Sequence, residues 1–155
     1  MKICHHVVLW GVLTLMLTSA ASPVQAYGRH YYASWSYHNT NSYYYRSYYY
    51  KPTPDYSIYK YHYCVYYPTQ PAYVYYYNPY ARVYWGRYDL KAGGYSLLAE
   101  KDRKEQLKDI PDSAFPKPGE MPTIPESADN EKIPKIAADD LPDTKAPNDV
   151  PGDKK

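Results

Sequence analysis

Apolar and polar positions alternate most clearly between residues 58 and 98. From Ile58 to Tyr67 the side chains of Tyr59, Tyr61, Tyr63, Val65 and Tyr67 fall on one face at period two, with Lys60, His62, Cys64 and Tyr66 on the other, and Pro68 ends the run. That is a strand pattern, and the mid-strand charge of Lys60 marks it as an edge strand. Tyr73 to Tyr77 is aromatic or β-branched throughout, which favours a pleated surface. Asn78-Pro79-Tyr80-Ala81 then reads as a turn, Val83 to Leu90 resumes the extended pattern, and Lys91-Ala92-Gly93-Gly94 turns the chain into Tyr95 to Leu98. Proline has no N–H for a ladder, and adjacent glycines adopt positive φ at little cost, so both breaks predict hairpins. The expectation is a three-stranded antiparallel meander with one extra edge strand. The meander itself offers only Val74, Val83, Leu90, Leu97 and Leu98 as large aliphatic side chains besides its aromatics.

On either side the patterning fades. Residues 27–57 consist of Tyr, Ser, Asn and His in short clusters and read as a low-complexity, irregular segment, because they lack the aliphatic mass to offset chain entropy. Ala99 to Lys108 contains good helix formers with a Glu100/Lys104 pair, which predicts a short exposed helix over 99–109 without an apolar stripe. Residues 110–155 form an acidic, proline-rich stretch that reads as a disordered tail. Nine prolines occur there, and seven of them follow a large apolar residue: Ile110, Phe115, Met121, Ile124, Ile133, Leu141 or Val150. Such aliphatic-Pro steps are pre-extended and suit aromatic-lined grooves, either on the tyrosine-rich half of this chain or on a protein partner. On that reading the chain as a whole is largely disordered, around a small β element spanning 58–98.

Composition sharpens two points. All 24 tyrosines lie between Tyr27 and Tyr95, so the surface of that half is expected to be aromatic and hydroxyl-studded. Charge is divided too: residues 27–95 carry seven Lys/Arg against two acids, and residues 96–155 ten against fourteen.

The amino end has Lys2, an apolar run from Val7 to Leu17, Pro23 and then Val24-Gln25-Ala26. This is the order of a secretory signal peptide, with an apolar core well short of the roughly 20 residues that span a bilayer. Cleavage is placed between Ala26 and Tyr27, which removes Cys4 and leaves no membrane span. The expected location is therefore extracytoplasmic, secreted or in the cell envelope. Cys64, the one remaining cysteine, is a candidate intermolecular thiol.

Candidate chemistry is sparse. His30, His38, His62 and Cys64 are the ligand-type side chains, but only His62 and Cys64 share a strand face, and structural zinc takes four ligands. No phosphate loop, nucleophile elbow or zinc-helix motif occurs, so neither catalysis nor a cofactor is expected. The run from Tyr80 to Tyr88 interleaves arginine with rings in the manner of single-strand nucleic-acid binders, although export argues against that partner. The same residues, with Tyr84, Trp85 and Tyr88 as the stacking surface, suit a polysaccharide or another envelope polymer. The composition is similar to that of small secreted tyrosine-rich and proline-rich proteins of bacterial envelopes and coats, a likeness that assigns no residue a role. The sequence thus points to an exported, non-enzymatic structural or interaction protein with an adhesive, self-associating tyrosine surface, or to a carbohydrate-binding module.

Overall fold

The structure, a computed structural model, describes residues 28–144. The expected signal cleavage at Ala26/Tyr27 lies outside them. Seven antiparallel strands form one curled sheet, a half-barrel: β1 (His30–Tyr32), β2 (Ser36–His38), β3 (Tyr43–Tyr50), β4 (Lys60–Tyr66), β5 (Tyr73–Asn78), β6 (Val83–Asp89) and β7 (Gly94–Leu97). β3 to β7 run as a meander in chain order. β1 and β2 pair with opposite ends of β3, Tyr31 facing Tyr49 and Tyr37 facing Tyr44, and together act as one broken edge strand.

A largely disordered chain was the expectation, and the structure overturns it. The segment 27–57 holds the longest strand, eight residues of β3, and β4 is central between β3 and β5 rather than an edge. Aliphatic mass is a poor gauge here because tyrosine rings fill the core. Tyr48, Tyr50 and Tyr76 are completely or almost completely buried, and their rings lie tilted, stacked or edge-on against neighbours, as with Tyr48 and Tyr50 at 5.6 Å and Tyr76 and Tyr95 at 5.2 Å between centroids. Pairs of this kind contribute about 0.5–1.5 kcal/mol each beyond the area they bury. Several phenol groups also find partners inside the protein. Tyr32 Oη donates to the Pro134 carbonyl at 3.0 Å and lies 2.9 Å from Tyr76 Oη, which then serves as its donor.

The two tight turns are built by side chains as well as by backbone. Asn78 Oδ1 accepts from the amides of Tyr80 and Ala81, and Asp89 Oδ1 from those of Lys91 and Ala92. Gly93 takes φ +65°, the left-handed region that favours glycine.

Helix is also absent from the described residues 99–109. Two three-residue 3₁₀ turns, Glu100–Asp102 and Leu107–Asp109, stand there instead. Local propensity loses to tertiary contact: the Lys104 carbonyl accepts from the amide of Tyr84 at 2.8 Å, and Leu98 and Ile110 are buried against the sheet, which an isolated helix without an apolar stripe could not achieve.

The proline-rich tail is a strap. Leu107, Ile110 and Phe115 lie on one face of the sheet, with Val65, Tyr75 and Tyr84. The chain then rounds the β7 edge, where Tyr95 and Gly119 exchange two backbone hydrogen bonds of 2.9 Å. Met121, Ile124, Ile133 and Ile136 finally pack on the opposite face, among Tyr48, Tyr76 and Trp85. Ile124 and Ile133 are completely or almost completely buried, a gain of roughly 1.5–3 kcal/mol each. Of the seven aliphatic-Pro steps five are buried and Leu141 is half-buried, while Val150 lies outside the described residues.

Electrostatics follow the same path. Among the described residues, five ion pairs join a cation of the tyrosine-rich half to an acid beyond β7: Arg29–Asp129, Arg46–Asp140, Lys60–Glu126, Arg82–Glu105 and Arg87–Asp112; His30 Nε2 also lies 3.4 Å from Glu131 Oε1. The exposed ones contribute little. Arg46 and Arg87 differ, because both guanidinium groups are buried and sandwiched between rings, Arg46 by Tyr32 and Trp35 at 4.2 and 4.4 Å, Arg87 by Tyr73 and Phe115 at 3.9 and 4.1 Å.

Candidate functional site

Strap coverage is unequal on the two faces. One face, carrying Tyr48, Cys64, Tyr76 and Trp85, is closed by the isoleucines. On the other, the segment from Leu98 to Phe115 covers only the part over β5 and β6, and the tyrosines of β3 and β4 stay half-buried.

Along the boundary of that partial cover runs an open cleft of about 600 Å³. Strand alternation supplies its rings. Tyr43 and Tyr45 point into it from β3, Tyr63 from β4, Tyr67 from just beyond β4, and Tyr77 and Tyr84 from β5 and β6, with Val65 between them. Ring contacts hold them in place: Tyr43 and Tyr67 at 5.4 Å, Tyr45 and Tyr63 at 6.0 Å, Tyr77 and Tyr84 at 5.1 Å. The hydroxyls of Tyr67 and Tyr84 lie 3.0 Å apart. His38 stacks on Tyr43 at 4.8 Å and, with Asn41, Glu105 and Gln106, completes the lining with polar groups. A neighbouring depression of about 470 Å³ shares Tyr67 and Gln106, so the two continue as one groove.

Beyond the cleft the rings go on. Tyr63 meets Tyr61 at 5.4 Å, Tyr61 meets Tyr49 at 5.9 Å, and Tyr49 stacks on Tyr31 at 5.0 Å, which makes a continuous aromatic track across β4, β3 and β1. Burial raises the pKa of Tyr43, Tyr63 and Tyr84, so these phenols stay protonated at neutral pH and can both donate and accept hydrogen bonds. Among the described residues, no Lys or Arg lines the cleft.

Tyr84, Trp85 and Tyr88, expected as the surface on which a polysaccharide stacks, do not form one surface. All three are buried, and β6 divides them between faces, Tyr84 on the floor of the cleft, Trp85 and Tyr88 in the core beneath the isoleucines. Tyr84 and Trp85 are consecutive on the strand and so point to opposite faces, and a bulge places Tyr88 with Trp85. Tyr76 pairs with Gly86 and Tyr77 with Tyr84, so Trp85 is an extra residue, and the alternation shifts by one across it. Gly86 is required there, since a Cβ would overlap the buried Tyr95 ring.

Cys64 is completely buried in the same core, and burial pushes its thiol up to about 12, so the folded protein does not offer it for intermolecular pairing. His62 shares its face, and desolvation lowers it to about 4.

Tyr43, Tyr45, Tyr63, Tyr67 and Tyr77 were not singled out from the sequence. The signal for part of the set was present, in the alternation of Tyr59, Tyr61, Tyr63, Val65 and Tyr67, but nothing local tells which face the rest of the chain leaves open. No family model, no curated protein and no solved structure matches this chain.

Proposed function

We propose that this is an exported, non-enzymatic interaction protein of the cell envelope, which holds a polysaccharide along the tyrosine-lined face of its sheet. The observation that carries the reading is the cleft itself: six rings in fixed mutual contact, open to solvent and bordered by Asn41, Gln106 and His38. Sugar rings present C–H faces that stack on aromatic planes and hydroxyls that bond to amide and phenol groups, so a rigid array of tyrosines suits them at low ordering cost. Export rests on the character of residues 1–26.

A second reading, self-association, is favoured by one observation. Beyond β1 and β2 no further strand of the sheet lies among the described residues, and the edge where a sheet ends is a template for another chain.

Co-sedimentation with insoluble glycans separates the two. Glycan binding predicts a monomer retained by the glycan, with retention abolished in the Tyr45→Ala/Tyr63→Ala double variant. Concentration-dependent oligomers without glycan retention would favour the second reading, and a monomer that binds no glycan would overturn both.

A further inference from the structure

Resting on that reading, the geometry points to a ligand that carries ammonium groups: we infer that the cleft binds an amino-sugar polymer. The argument is an internal precedent. Elsewhere in this protein a cation fills the space between aromatic rings and a carboxylate. Arg46 lies over Tyr32 and Trp35 and pairs with Asp140, and Arg87 lies over Tyr73 and Phe115 and pairs with Asp112. Lys60 repeats the arrangement more loosely, 5.9 Å from the Tyr56 ring and bonded to Glu126.

The cleft has the same two components without the third. Six phenol rings and the Glu105 carboxylate line it, and among the described residues no Lys or Arg does. Ring faces carry negative potential, which attracts a cation and repels an anion. Glu105 is engaged by Arg82, but Arg82 is 72% exposed, and an exposed pair of this kind costs little to exchange for a ligand ammonium. An anionic polymer in the cleft would meet ring faces and a carboxylate whose cation, Arg82, is already paired to it, with Lys108 in the adjoining depression rather than in the cleft lining.

Amino sugars fit better than a lysine or arginine side chain from a peptide, because the rings continue beyond the cleft over Tyr61, Tyr49 and Tyr31. A repeating ring polymer can follow that track. A single side chain uses only one cage.

Calorimetric titration of the mature chain tests this with a glucosamine hexamer, its fully N-acetylated counterpart, a hexamer of an acidic sugar and a lysine-rich peptide, at a pH where the free amines are charged. The glucosamine hexamer is expected to bind about ten-fold more tightly than the acetylated one, the scale of a partly desolvated cation–π contact. Glu105→Gln, a change at an exposed side chain, should weaken binding of the glucosamine hexamer more than that of the acetylated one and so remove much of that preference. Equal affinity for the two hexamers would overturn the ammonium inference and leave polysaccharide binding standing. Preference for the acidic sugar, or binding of the peptide alone, would overturn it as well. No binding of any sugar would sink this inference together with the reading beneath it.

Discussion

Arg46 and Asp140 are 94 residues apart in the chain, and in the fold Arg46 Nη1 donates to Asp140 Oδ2 at 2.7 Å. The guanidinium is 1% exposed and the carboxylate 52% exposed, so an acid on the outer side of the strap neutralises a cation in the core. Removing the acid alone leaves a buried charge uncompensated, whereas replacing both partners by neutral groups does not. Asp140→Ala is therefore expected to destabilise the protein by about 2–3 kcal/mol, less than for a fully buried pair because solvent reaches the carboxylate. Arg46→Met combined with Asp140→Ala should cost clearly less than the sum of the two single changes. Urea unfolding of the four proteins measures the coupling, and strict additivity would show that the pair does not interact.

The strap forms one wall of the core. A chain ending at Gly119 lacks Met121, Ile124, Ile133 and Ile136, all buried against the aromatic face. That chain is expected to bind hydrophobic dyes and aggregate, and Ile124→Ala in the full chain to lose about 2–5 kcal/mol. A soluble, cooperatively unfolding chain ending at Gly119 would contradict this account.

His62 gives the stability a pH dependence of defined sign. Burial lowers its folded pKa to about 4, against about 6.5 for an unfolded histidine, with Glu126 raising it and Lys60 lowering it by smaller amounts. Between these values the unfolded chain binds the proton and the folded one does not. Stability is thus retained above pH 6.5 and lost as pH falls towards 4, by about 2 kcal/mol between pH 7 and pH 5. Unfolding midpoints at the two pH values should differ in the natural protein and much less in His62→Gln. A fall of the same size in the variant would assign the effect to other groups.

Cys64 is expected to resist alkylation by iodoacetamide in the folded protein and to react at once in denaturant, because the thiol is fully buried and its pKa is pushed up to about 12. Mass spectrometry of the native and unfolded chains reads this directly. Rapid native labelling would mean that the core opens easily.

Several features were legible locally. The turns at Asn78 and at Asp89 to Gly93, the alternation from Tyr59 to Tyr67 and the opposed charge of the two halves depend on side chains within a few residues of one another, or on composition alone, and each has a counterpart in the fold. What the sequence alone determined, then, is where strands can run and which residues can face the same way. Tertiary contact decided the rest. Residues 30–50 form β1 to β3 because β4 and the isoleucines of the strap cover Tyr48 and Tyr50, partners 74 and more residues distant in the case of the strap. Tyr88 joins Trp85 in the core because one bulge shifts the alternation of β6. The open cleft exists because the segment from Leu98 to Phe115 spans only half of one face, and that incomplete cover is a property of packing over the whole sheet, which no stretch of sequence encodes by itself.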